Sequence, residues 1–401
     1  MSYRKFKADN LFTGTEMLGS NKVLVLKSDA TVEAITDDKE AGEDVETFKG
    51  ILSPGLINTH CHLELSHMKG LIPERTGLVD FVYKVVNERH FAEEEILNAI
   101  ASAEDEMLSN GIVAVGDICN NLLTLPQKLK QRLAYYNFIE ASGWLPDVSQ
   151  PRFERALNLY NELSTTNYKP RPTGSSGGVQ TTNFSIVPHA PYSVSDELWK
   201  LITPYFKNKV VSIHNQETSF EDELFLQGTG DLVRMYEMMN IDNTHHQPTK
   251  MSSLQSYFSK LSKAASIILV HNTFITQTDI EFAMKNTSSD QQLSFCICSN
   301  ANLYIENTMP PVDMLMKNDC RIVLGTDSIA SNRSLNLLDE IKTIQKNFPQ
   351  ISLETMLQWA TLNGATALQM DNVFGSFEKG KKPGVVCLNL DSEINKIKRI
   401  I

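Results

Sequence analysis

The chain has 401 residues, 41% hydrophobic and 21% charged, with a formal net charge of -11, an ordinary globular composition. Lys/Arg clusters occur only around Lys379–Lys382 and Lys396–Arg399, so the balance disfavours polyanion binding and suits small-molecule chemistry. No run approaches the roughly 20 apolar residues that span a bilayer. The opening MSYRKFKADN lacks a signal-peptide core, and the six cysteines are scattered. A reduced, cytoplasmic setting is expected, with a small-molecule substrate, no nucleic-acid or membrane partner, and homodimerisation left open.

The first fifty residues are strand-like and turn-rich: Lys22–Lys27 alternates and Asp37–Glu46 is an acidic turn region. Pro54-Gly55 then marks a change. From Ile51–His62 onward the chain alternates strands and helices. Further strands are predicted at Ile112–Asp117, Leu133–Ala141, Phe184–His189, Val210–His214, Ile267–His271, Leu293–Cys298 and Ile322–Asp327, eight in all. Helical patterns fall between them, at Ala92–Leu108, Asp196–Phe206, Glu221–Met239 and Ser334–Lys346, with a last one at Leu353–Met370. Such a series predicts an α/β fold, a (β/α)8 TIM-type barrel. Thr165–Thr182 is a flexible loop by composition, and Asn243–Ser253 a polar insertion. Gly375–Leu390 returns to strand character and is expected to pair with the N-terminal strands. The expected division is 1–53 and 373–401 as two halves of a small β-sandwich domain, with the barrel at 54–372.

Five strands end in a group suited to binding a metal or moving a proton: His60/His62, His189, His214/Glu217, His271 and Asp327. Apolar runs ending this way make poor core, whereas barrel enzymes build their sites at the C-terminal strand ends. His60 and His62 share one side of a strand. His214 alone would read as a satisfied core histidine. A carboxylate at Asp327 would be poorly solvated unless paired or metal-bound. Three imidazoles and one carboxylate leave room for water on a divalent ion. Zinc suits such ligands best, with ferrous iron and manganese as alternatives. Glu217, three residues beyond His214, stands where a proton shuttle is needed. His271 reads as a further ligand or a polarising group. His189, fixed by the Pro191 turn, reads as a substrate contact. His245-His246 reads as solvated, and Cys296 and Cys298 as packing residues.

In order, Pro54-Gly55-Leu56-Ile57-Asn58-Thr59-His60-Cys61-His62, His189-Ala190-Pro191-Tyr192-Ser193, His214-Asn215-Gln216-Glu217, Val270-His271 and Leu324-Gly325-Thr326-Asp327-Ser328 resemble the amidohydrolase superfamily, in its deaminase and chlorohydrolase branch. The resemblance covers essentially the whole chain. It implies one catalytic ion held by His60, His62, His214 and Asp327, with Glu217, His271 and Asp327 as catalytic groups. The segments Leu63–Ser66, Gly77–Phe81 and Glu217–Gly228 are similar to aminodeoxyfutalosine deaminases, then to S-adenosylhomocysteine and methylthioadenosine deaminases. Glu64, Ser66 and Ser328 thereby join His189 as expected substrate contacts. Two departures concern the substrate: no ribose-binding Glu is evident in Phe81–His90, and the usual Ser-Asn-Leu is Ala301-Asn302-Leu303.

The function implied is metal-dependent hydrolytic deamination of an aminated heteroaromatic ring, an adenine nucleoside first, with release of ammonia. Chlorohydrolysis and guanine- or cytosine-type deamination use nearly the same residues and stand as alternatives. Two-metal ring-opening relatives use a carboxylated Lys on the fourth strand. Here that strand contains none, so one ion is expected. A non-enzymatic scaffold would have no need of an intact ligand set.

Overall fold

The computed structural model describes residues 2–165, 184–389 and 396–401. The predicted loop therefore lies outside the described residues, apart from Thr165 at its start. The described strands are β1 (Tyr3–Leu11), β2 (Lys22–Lys27), β3 (Val32–Asp37), β4 (Val45–Ser53), β5 (Leu56–Cys61), β6 (Ile112–Ile118), β7 (Ala134–Ala141), β8 (Phe184–Pro188), β9 (Val210–Asn215), β10 (Ser266–His271), β11 (Gln292–Ile297), β12 (Ile322–Leu324), β13 (Val386–Asn389) and β14 (Lys396–Arg399).

Strands β5 to β12 form two parallel four-stranded sheets, β5-β6-β7-β8 and β9-β10-β11-β12. Every residue of β5, β6, β9 and β10 is buried, as expected where helices cover a parallel sheet. The two sheets are tied together at their C-terminal ends. The His214 N–H donates to the His189 carbonyl at 3.0 Å, and the Thr326 and Asp327 N–H groups both donate to the His60 carbonyl at 3.1 Å. Asn58 strengthens the second tie: its amide nitrogen donates to Thr326 Oγ1 at 2.7 Å, and its Oδ1 accepts the Thr326 N–H at 3.0 Å. Four strand ends, three of which carry the expected ligands, are thus pinned in two pairs by backbone.

The chain ends meet as expected. β13 pairs antiparallel with β4, Leu388 opposite Ile51 and Val386 opposite Ser53, in a sheet of order β14-β13-β4-β1-β2-β3. Gly55 leads into β5 where only hydrogen fits, since a Cβ would lie 2.2 Å from Val113 Cγ1. The core between sheets and helices is continuous, from Leu56 and Ile112 through Phe138 and Val211 to Phe295 and Val323. Each such buried side chain contributes about 1.5–3 kcal/mol. A separate apolar cluster, including Leu65, Leu78, Phe81, Trp144, Tyr192, Met235 and Tyr236, sits on the strand-end side. Among the described residues, no helix is long and apolar enough to cross a membrane.

Some elements differ from the expectation for identifiable reasons. The helix predicted at Glu221–Met239 is two, Phe220–Gln227 and Asp231–Met238. Gly228 (φ 74°) and Gly230 (φ 97°) take left-handed conformations that end one helix and start the next. β12 stops at Leu324 because the backbone turns, with Asp327 at φ 56°. The helix expected from Ser334 begins at Leu337, where the Asn336 side chain caps it. The last predicted helix carries a π segment, Trp359–Asn363, within it.

Candidate active site

Five strand-end groups converge. The ligand atoms of His60, His62 and His214 lie within 4.8 Å of one another, as do those of His60, His271 and Asp327. His62 Nε2 and His214 Nε2 approach at 3.3 Å. Asp327 Oδ1 lies 3.6 Å from His60 Nε2 and 3.4 Å from His62 Nε2. Burial pushes all these imidazoles down, His62 to about 3. They are neutral, the form that binds a metal. Burial alone would raise the Asp327 carboxyl; the adjacent His60, His62 and His271 rings outweigh it and hold it well below the carboxylate range.

These residues fit a cation. His60 is fully buried, yet neither ring nitrogen has a hydrogen-bond partner among the described residues. His214 Nδ1 donates to the His189 carbonyl at 2.8 Å, which leaves its Nε2 a bare lone pair facing His62. Lone pairs and a carboxylate aimed at one point are costly unless a positive charge sits there. A third grouping, Glu140 with His189 and His214, offers no comparable second site. The His214 nitrogen on that side, 3.6 Å from Glu140 Oε1, is the one already committed to the His189 carbonyl.

The other strand ends complete the chemistry. Glu217 is 5% exposed, and burial together with the nearby Asp327 and Glu306 carboxyls pushes its pKa well above the usual range. Its Oε1 lies 3.6 Å from His271 Nε2. The turn carrying it is clamped by Glu221, whose carboxylate accepts the Gln216 and Glu217 N–H groups at 3.0 and 2.8 Å. His271 stands at φ 72°, a conformation that persists only where the surroundings enforce it. Asn302 does so: its amide nitrogen donates to Thr273 Oγ1 (2.8 Å) and the His271 carbonyl (3.3 Å), so its oxygen faces His271 Nδ1 at 3.0 Å. The His271 proton is therefore on Nδ1, and Nε2 faces the site. Ser331 donates to Asp327 Oδ2 at 2.5 Å, turning Oδ1 toward the histidines.

The cluster floors a cavity of about 700 Å³, also lined by Phe81, Trp144, Tyr192 and Tyr236. Of the expected substrate contacts, His189, Glu64 and Ser328 line it. Ser66 does not: its hydroxyl donates to its own Leu63 carbonyl at 2.7 Å. His245 and His246 are not simply solvated. Their rings lie 5.4 and 5.2 Å from Trp144, which stacks on Tyr236 at 5.2 Å. Cys296 and Cys298 are buried against Gly325, as packing residues are. The sequence reading missed Glu140, Trp144 and Ser331, and met Asn58 and Asn302 only inside motifs, with no role assigned to them. Glu140 had a signal, an acidic residue at the end of an apolar strand; the others have none outside their spatial partners.

Residues 51–400 match the amidohydrolase family, and the chain belongs to it. It is a hydrolase acting on carbon–nitrogen bonds. It is 26% identical over 371 residues to the 5-methylthioadenosine/S-adenosylhomocysteine deaminase of Saccharophagus degradans, covering 87% of this chain and 73% of that protein. In three dimensions it resembles the Helicobacter pylori aminofutalosine deaminase complexed with methylthio-coformycin (TM-score 0.79, 20% identity, 98% and 93% covered). An adenosine deaminase from Xanthomonas campestris with bound zinc is similar at TM-score 0.69, 20% identity, 97% and 85% covered. The structural likenesses show a shared fold.

Proposed function

We propose that the protein is a one-metal deaminase that hydrolyses the amino group from an adenine nucleoside with an enlarged 5′ group, aminodeoxyfutalosine first and methylthioadenosine or S-adenosylhomocysteine next. The observation that carries this is the Glu217 carboxyl, facing His271 in the cavity lined by His62, His214 and Asp327, with His60 buried behind them. The chemistry a divalent ion supplies there, zinc by the donor set, is Lewis acidity that brings a water's pKa toward neutrality. Glu217 takes a proton from the attacking water and passes it to the ring nitrogen beside the carbon bearing the amino group. Its raised proton affinity suits a group that must both accept and return that proton. Asp327, with Oδ2 occupied by Ser331, presents Oδ1 to orient the water. His271 Nε2, with its proton fixed on the far nitrogen by Asn302, accepts a hydrogen bond from the attacking group. The tetrahedral carbon then expels ammonia, protonated through Glu217.

The ties between the two four-stranded sheets support a closed (β/α)8 barrel over 54–372, with 1–53 and 373–401 as a β-sandwich domain. His189, Glu64 and Ser328 serve as substrate contacts in this reading, and Ser66 supports the Glu64 turn.

An ammonia-release screen over aminodeoxyfutalosine, methylthioadenosine, adenosylhomocysteine, adenosine, guanine, cytosine and aminotriazines tests it. Turnover of the modified adenosines is expected. Efficient turnover of a pyrimidine, guanine or triazine, with none of any adenine nucleoside, would overturn the substrate assignment.

A further inference from the structure

Glu340, on the helix Leu337–Asn347, is 0% exposed and does not line the cavity. Among the described residues its partners are hydrogen-bond donors and no cation. Oε2 accepts the Ser299 hydroxyl at 2.6 Å and the Asn300 N–H at 2.9 Å; Oε1 accepts the Asn300 and Asn332 side-chain amides at 3.0 and 2.8 Å. Burial pushes the carboxyl up to about 7, and these donors work against that shift. A buried charge held only by hydrogen bonds costs free energy that an apolar residue packed in its place would not. What the carboxylate adds is fixed geometry.

The amides on it point one way. Asn300 Oδ1 accepts the Thr343 hydroxyl at 2.6 Å, and Asn332 Oδ1 accepts the Arg333 N–H at 2.7 Å. Each amide nitrogen is left to donate. Asn332 gives its other N–H to the Thr326 carbonyl at 2.8 Å.

Both sets of donors lead to reacting groups. Ser299 and Asn300 open the helix Ser299–Ile305, whose own N-cap, Cys298, supplies no side-chain bond. Two residues beyond Asn300, Asn302 faces His271 Nδ1 at 3.0 Å. On the other side, Thr326 directly precedes Asp327, and Ser331, next to Asn332, donates to Asp327 Oδ2. One buried carboxylate therefore joins the element that sets His271 to the loop that carries Asp327.

We propose that Glu340 is a positioning residue for both halves of the reacting centre, acting on His271 through Ser299, Asn300 and Asn302, and on Asp327 through Asn332 and Thr326. The proposal rests on the deaminase reading above and deepens it.

The test measures zinc affinity by competition with a chelator, the side-chain nitrogen NMR signals of His271 in the zinc-loaded protein, and kcat. Glu340→Gln keeps the volume but turns an NH2 group onto one pair of donors. It is expected to weaken zinc binding about tenfold or more, and to lower kcat about 10–100-fold with KM little changed. It should also shift the His271 signals away from the pattern of a proton on Nδ1. Ser299→Ala should lower kcat and shift the His271 signals with zinc affinity kept, and Asn332→Ala should weaken zinc binding. If Glu340→Gln does not fold, these two variants decide, and neither effect in folded protein overturns the proposal. A merely structural carboxylate predicts lower urea stability in Glu340→Gln with zinc affinity and the His271 signals unchanged; that result would overturn it, as would a change confined to one half of the site. If no nucleoside releases ammonia, the deaminase reading fails by itself, and zinc affinity and the His271 signals still decide the role of Glu340.

Discussion

Glu217→Gln separates a proton shuttle from a structural carboxylate. The side chain is 5% exposed and its Oε1 lies 3.6 Å from the neutral His271 ring at Nε2. It does not hold the turn, because Glu221 accepts the Glu217 backbone N–H. Nor does it cap the following helix, whose N-cap residue is Ser219. Burial already disfavours its ionised form, so a neutral amide of the same shape is easy to accommodate, and stability should stay level or rise slightly. What is lost is the ability to cycle a proton, which contributes about 10²–10⁴-fold in enzymes of this kind. At about 1.36 kcal/mol per decade, that is about 2.7–5.4 kcal/mol on the barrier. Metal content and single-turnover rate should be measured on one preparation. The expected result is unchanged metal with the rate down in that range. A normal rate per bound metal, with metal or stability lost instead, would refute the shuttle role.

Three further outcomes follow from the geometry. Asn302→Ala removes the partner that fixes the His271 proton on Nδ1; kcat should fall about 10–100-fold, and an unchanged kcat would show that the His271 tautomer does not matter. Glu64 is pushed up to about 7, first by burial, against 4.5 when unfolded. The folded form therefore binds that proton more tightly, and the contribution, at most about 3 kcal/mol, is complete below pH 4.5 and lost as pH rises through about 7. Glu64→Gln should flatten the decline of urea stability across that window, and an unaltered slope would contradict it. At Gly325, an added Cβ would lie 2.9 Å from the His60 carbonyl oxygen and 2.9 Å from Cys296 Sγ. Gly325→Ala should cost about 1–3 kcal/mol in urea denaturation and weaken metal binding, since that carbonyl ties down Asp327.

Much of the site was legible because strand geometry is local. A parallel strand buried on both faces reads as an apolar run, so His60, His62, His214, His271 and Asp327 stood out by their chemistry at its end. The supporting layer was not legible. Asn58 stands mid-strand and matters only because Thr326 lies opposite it across 268 residues of sequence. Asn302 is legible only as part of Ala301-Asn302-Leu303, and its role depends on His271 and Thr273, about 30 residues earlier in the chain. Trp144 and His246 carry no strand-end context, and their stacking depends on where an insertion folds back. Helix boundaries failed where glycines broke an unbroken pattern, at Gly228 and Gly230. Within the site, then, local periodicity reveals the reacting groups, whereas the groups that orient them are set by long-range contacts.

The central claim is that one ion, held by His60, His62, His214 and Asp327, makes this a hydrolytic deaminase. The most direct test is a titration of chelator-stripped protein with zinc, following ammonia release from aminodeoxyfutalosine or methylthioadenosine against metal bound per chain. Activity should be absent in the stripped protein and rise linearly to saturate at one ion per chain. Full turnover without metal, or activity that appears only as a second ion binds, would contradict it.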